Sequence, residues 1–143
     1  MSGDRFRAIL DGRVPPPPVA QLLGMELTAI EEGRATFEME AEPRHSSPLG
    51  TLQGGILCAL ADGAMGAAYV SLLGGGETFA TLELKMNFLK PVWTGRVTAV
   101  AEVVKAGRTI GLVECRITDE GGSLVAHATS TCMTLRGEMA EGR

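Results

Sequence analysis

Metal ligands are scarce in this sequence, which has two histidines and three cysteines among 143 residues. Cys58, Cys115 and Cys132 make no CxxC pair, and an odd set cannot all bridge. Each lies in an apolar run, where cysteine serves as a small hydrophobe. Neither a disulfide framework nor a metal site is expected, and a reduced, cytoplasmic setting is. Basic clusters are missing too. The net charge is −4, and no run of Lys and Arg is long enough to track a phosphate backbone, which argues against nucleic acid as a partner. Residues 1–7 lack the apolar segment of a secretory signal. The single long hydrophobic stretch, 54–73, has the length of a membrane span. It contains four glycines and an aspartate and has no basic flank, so a buried core helix is the better reading.

With 45% hydrophobic and 21% charged residues, the composition is that of one globular domain with a substantial core. Residues 1–18 read as an N-terminal extension: a short helix over 4–11, then a polyproline linker at Pro15–Pro18. Residues 19–137 form the domain and 138–143 a tail. One more helical turn over 19–23 precedes Gly24. Period-2 alternation then places Met25, Leu27 and Ala29 on one face of a first strand. A second strand buries Ala35, Phe37, Met39 and Ala41 and leaves Glu38 and Glu40 in solvent. A loop at 43–53 leads to the 54–73 helix, which Gly74-Gly75-Gly76 should close. Four strands follow. The first, 78–90, is expected to turn Ala80, Leu82, Leu84, Met86 and Phe88 inward and Thr81 and Glu83 outward. The others point Val97, Ala99, Ala101 and Val103, then Val113, Cys115 and Ile117, toward the core, with 123–135 last. The order β-β-α-β-β-β-β predicts an α+β fold, a mostly antiparallel sheet around one long helix.

Asp62 is the one ionisable side chain in that helix besides Cys58 and Tyr69, and the one expected to carry charge. Apolar residues surround it at every helical angle, so the helix is expected to be buried nearly all round and Asp62 with it, the side that the sheet leaves open being covered by a second subunit. A lone buried carboxylate costs several kcal/mol unless it is paired or neutralised, which marks Asp62 as a candidate catalytic group.

The segment Leu49-Gly50-Thr51-Leu52-Gln53-Gly54-Gly55-Ile56, with Ala61-Asp62 two turns on, resembles the hotdog-fold acyl-CoA thioesterases of the phenylacetate-pathway and 4-hydroxybenzoyl-CoA types. Thr81–Pro91 is similar to that family's third strand, and Lys105–Arg108 to one of its turns. The resemblance spans residues 20–135. It implies a dimer, or a dimer of dimers, with acyl-CoA as substrate and no cofactor. Two positions depart from the pattern: Gln53 replaces the usual His of His-Gly-Gly, and Ser47 stands where Asn or Gln is common. Both are expected to orient the thioester or a water, and Thr81 to hold the water or the carboxylate. The nucleotide of CoA would lie outside the acyl tunnel, with Lys90, Arg96, Lys105 and Arg108 as its candidate cations.

The chemistry follows from the residues. Opening amides of a helix have no intrahelical acceptor and carry its positive dipole end, so Gly54 and Gly55 are candidate oxyanion donors, Gly54 first. Eight residues separate Gly54 from Asp62, about 12 Å along one helix at 1.5 Å per residue. Both groups must approach one carbonyl within about 3–3.5 Å, so one protomer must lend its Gly54 and another its Asp62. Asp62 either attacks the carbonyl or deprotonates water, and the direction of its pKa shift stays open. A hydratase or dehydratase of the same fold, or a non-catalytic acyl-CoA binding module, are the alternatives. His45 is expected to be a solvated loop residue, His127 an interface or core side chain, and Trp93 a packing residue.

Overall fold

Strict alternation over 34–41 produces β2 (Arg34–Ala41), which buries the four expected apolar residues. The computed structural model describes residues 2–143; Met1, the first residue of the expected extension, lies outside them. Before β2, β1 (Glu26–Glu31) folds back through a turn whose Gly33 has φ 74. The pairing slips between Leu27 and Ala29, leaving Thr28 as a bulge residue. That slip hands the inward position to Ile30 instead of the expected Ala29: Leu27 and Ile30 are buried and Ala29 only half-buried.

The remaining strands are β3 (Thr78–Phe88), β4 (Gly95–Ala106), β5 (Ile110–Asp119) and β6 (Leu124–Leu135). All pairs are antiparallel, in the order β1-β2-β4-β5-β6-β3, so β1 and β3 form the two edges. The expected inward residues of β4 and β5 hold, with Val97, Ala99, Ala101, Val113, Cys115 and Ile117 buried and Val103 half-buried. β3 departs. Its register against β6 shifts between Thr81 and Glu83, with Leu82 as the extra residue. Phe79 meets Tyr69 edge-on with ring centroids 5.9 Å apart, and Thr81 reaches Asp62, so both face the helix ahead of the bulge. Beyond it Leu84, Met86 and Phe88 face inward, while Leu82 is exposed. Thr81 therefore faces inward, opposite to expectation and away from Glu83.

The long helix α3 (Gly54–Val70) lies across β2, β4 and β5. Alanines 61, 64, 67 and 68 on the helix and 99 and 101 on β4 are fully buried, and their short side chains let the helix settle close to the sheet. Burial is not uniform. Residues 64–70 are buried on every side, but Gly55 and Asp62 are exposed and Cys58 half-buried. Within one chain the helix is open along this strip of the first half, the side expected to be covered by a second subunit. The helix also ends at Val70, before the glycine triplet. Ser71 Oγ donates to the Ala68 carbonyl at 2.6 Å and accepts from the Gly33 amide at 2.8 Å, which closes the helix and ties it to the β1–β2 turn.

In the N-terminal region, α1 (Ser2–Leu10) lies against β1 and α3, with Phe6 packed on the core. After the prolines comes α2 (Pro18–Leu23), which Gly24 stops at φ 75. An apolar cavity of about 230 Å³ remains beneath α1, walled by Phe6, Ile9, Met25, Leu27 and Phe37. No helix among the described residues is long and apolar enough to cross a membrane.

Candidate active site

The loop that delivers α3 is held by backbone and side chain together. A short 3-10 turn, Pro43–His45, buries His45 to 4% exposure, which corrects its reading as a solvated residue. Its Nδ1 accepts from the Glu42 amide at 3.0 Å, and its carbonyl accepts from the Gln53 amide at 2.9 Å. Ser47 donates its amide to the Thr51 carbonyl at 2.7 Å, and its Oγ accepts from the Leu49 amide at 3.2 Å. Gln53 occupies the N-cap of α3 without a side-chain capping bond, so its amide group is not engaged there. Among the described residues, no carbonyl outside the helix accepts from the Gly54 or Gly55 amide. Gly54 lines an open groove of about 450 Å³ with Ser47, Thr51, Leu57, Phe88 and Lys90. The Phe88 ring covers the helix start so closely that a Cβ on Gly54 would stand 2.9 Å from it, whereas Gly55 faces open space.

Two turns along the open strip, Asp62 is exposed in the single chain. Within one chain the smaller side chains beside Asp62 and the bulged edge strand do not cover it. Desolvation by its surroundings nevertheless holds its pKa above the usual aspartate value, and a hydrogen bond from Thr81 partly offsets that rise. The Thr81 hydroxyl donates to Asp62 Oδ1 at 3.5 Å. Thr81 lies opposite the buried Cys132 of β6, whose own pKa is raised by burial and by the nearby Asp62 charge. One chain thus holds two separate groups, Gly54 with Ser47 and Asp62 with Thr81.

Residues 49–126 match the sequence model of the thioesterase superfamily. The chain belongs to this superfamily. It is 30% identical over 111 residues to the 1,4-dihydroxy-2-naphthoyl-CoA hydrolase of Listeria monocytogenes, covering 78% of this chain and 90% of that one. Acyl-coenzyme A thioesterase 13 of Homo sapiens is 25% identical over 107 residues, 73% of this chain and 76% of that protein. Among solved structures, the phenylacetic acid degradation-related thioesterase of Ralstonia eutropha JMP134 superposes with a TM-score of 0.82 at 32% identity, covering 90% of this chain and 98% of that one. The antiparallel sheet around α3 is the hotdog fold, and the protein is a thioester hydrolase.

The four candidate cations of this thioesterase are scattered. Lys90 borders the Gly54 groove and pairs with Asp119 at 2.6 Å. Arg96 pairs with Glu38 and, at 3.6 Å, with Glu40. Lys105 lies by the β1–β2 turn, near Glu31 and Glu32, and Arg108 is exposed in the β4–β5 turn. Trp93 is 60% exposed instead of packed inside, with Gly50 beneath its ring. His127 is half-buried, 3.6 Å from Glu114. Sequence reasoning passed over Phe88 as the lid of Gly54, and Cys132 and Ser130 as neighbours of the Asp62 pair. The inward parity of β6 carried the signal for the latter two, but only the β3–β6 register shows what they face.

Proposed function

We propose that this protein hydrolyses acyl-CoA thioesters at sites shared by two protomers. The carrying observation is the arrangement on α3. Gly55 and Asp62 lie on a strip left open in the single chain, beside the free edge of β3, where Leu82 and Phe88 are also exposed; Gly54, half-buried under the Phe88 ring and eight residues from Asp62, borders the groove at the start of that strip. A second copy laid antiparallel along that strip would bring its Gly54 to this Asp62 and cover the apolar edge.

In this reading the Gly54 amide of one protomer stabilises the oxyanion that forms on the thioester carbonyl. Asp62 of the other supplies the second function, as nucleophile or as base toward water; the products are the free acid and CoA thiol. Covering by a partner would desolvate Asp62 further and strengthen it as a base. Gln53, which makes no side-chain capping bond, and Ser47, which lines the groove, would orient the carbonyl or the water. Of the cations, Lys90 borders the groove, and Arg108 has an open approach for phosphates.

A thiol-release assay over aryl, short-chain and medium-chain acyl-CoAs tests this reading. The wild type should release CoA, and Asp62→Asn should be slower by about 10²–10⁴-fold. Equal rates would make Asp62 structural, and binding without cleavage of any substrate would point to a carrier role.

A further inference from the structure

We propose that Trp93 is the platform on which the adenine of the CoA substrate stacks. The proposal rests on the acyl-CoA reading above and adds where the nucleotide end of that substrate is held. The groove at Gly54 runs past Lys90, Pro91 and Val92, and the same three residues line a second hollow of about 230 Å³. Trp93, Asp119 and Glu120 are among the other walls of that hollow. A substrate whose thioester meets the Gly54 amide therefore has a continuous path to the indole. Gly50, against which the ring rests, precedes Gly54 by four residues, a span of at most about 14 Å.

The mount is rigid. Val92 is buried, and its carbonyl accepts from the Leu52 amide at 2.7 Å, which ties this segment to the loop that starts α3. Gly50 has φ 86, and a Cβ there would stand 3.3 Å from the indole. The ring is thus held in place while most of its surface stays exposed. A flat aromatic partner covers such a surface well, and a nucleobase is one.

Charge at this end of the molecule selects the base over the phosphates. Lys90 is paired with Asp119 at 2.6 Å, and Arg96 is paired with Glu38 and Glu40. Lys105 and Arg108 lie at the far end of the β4–β5 pair. Among the described residues, the Glu120 carboxylate accepts only from the Arg96 amide, at 3.5 Å. It has room to accept from the exocyclic amine of adenine, and it repels phosphate, which stays on the solvent side of the hollow.

Trp93 is the single tryptophan of the chain, so its fluorescence reports this site directly. CoA and ADP should quench it saturably, at concentrations that leave free tryptophan unaffected. Pantetheine, which lacks the nucleotide, should not. Trp93→Leu should raise KM for acyl-CoA about five- to fiftyfold, with kcat changed less than about twofold. That penalty should vanish with acyl-pantetheine as substrate, and Trp93→Phe should recover part of the loss. A wild type that neither CoA nor ADP quenches overturns the proposal. So does a KM changed to the same extent for both substrates, or a loss in Trp93→Leu that light scattering traces to altered assembly. A wild type that releases no thiol, yet is saturably quenched by CoA and ADP, overturns the hydrolytic reading and leaves the platform standing.

Discussion

Ionisation of Asp62 costs the folded chain something that the unfolded chain does not bear, because desolvation outweighs the Thr81 bond. Its folded pKa is thus the higher of the two. Below the ordinary aspartate range the group is neutral in both states and the difference vanishes. As pH rises through the window between the ordinary value and the raised one, stability is lost, and the loss persists at neutral pH. Asp62→Asn should accordingly unfold at a higher temperature than wild type near pH 7, with the gap closing toward pH 3. Paired melts at several pH values check this, and a gap that widened on acidification would refute it. The sequence shows that Asp62 is the odd residue in α3 because nothing else there carries charge. It does not show the carboxylate's exposure or its partner, since both depend on where a bulge falls in β3. His45 was misread for a related reason: its burial comes from the Glu42 amide and the Gln53 backbone, bonds that no loop composition advertises.

Among the elements, α3 was legible as one long apolar run, and the strands of the sheet centre from an alternation that holds over most of their length, shifting only near Val104 and between Ile117 and Thr118. The edges were not. In β1 and β3 a single extra residue, Thr28 or Leu82, moves the inward position by one, and pattern reading carried past it picks the wrong face. The end of α3 was set by a side chain that no periodicity reports. Ser71 holds the Ala68 carbonyl and the Gly33 amide at once, and Gly33 is the turn between β1 and β2. Ser71→Ala leaves that partly buried amide unpaired and should lower stability by about 1–3 kcal/mol in urea titrations. An unchanged midpoint would mean that the turn and the helix end are fastened by packing alone.

For the molecule as a whole, the free edge of β3 and the open strip of α3 adjoin, and the proposed dimer covers both. The separation of Gly54 from Asp62 along one rigid helix then has a genetic consequence. Gly54→Pro removes the amide donor at a first helical position that proline fits, and Gln53 is already extended at ψ 129 as a residue before proline should be. The ring tip of Phe88 must give way to the new side chain. Gly54→Pro and Asp62→Asn homodimers should each be nearly inactive. After co-refolding, each hybrid dimer has one site with both defects and one with neither. Such a mixture should regain about a quarter of wild-type activity if the chains pair at random. No recovery, in a mixture that light scattering and mass spectrometry show to be dimeric and hybrid, would confine the reaction to one chain. Damaging alleles of this protein are therefore expected to rescue one another in trans when they fall at opposite ends of the open strip, and to fail when they share an end.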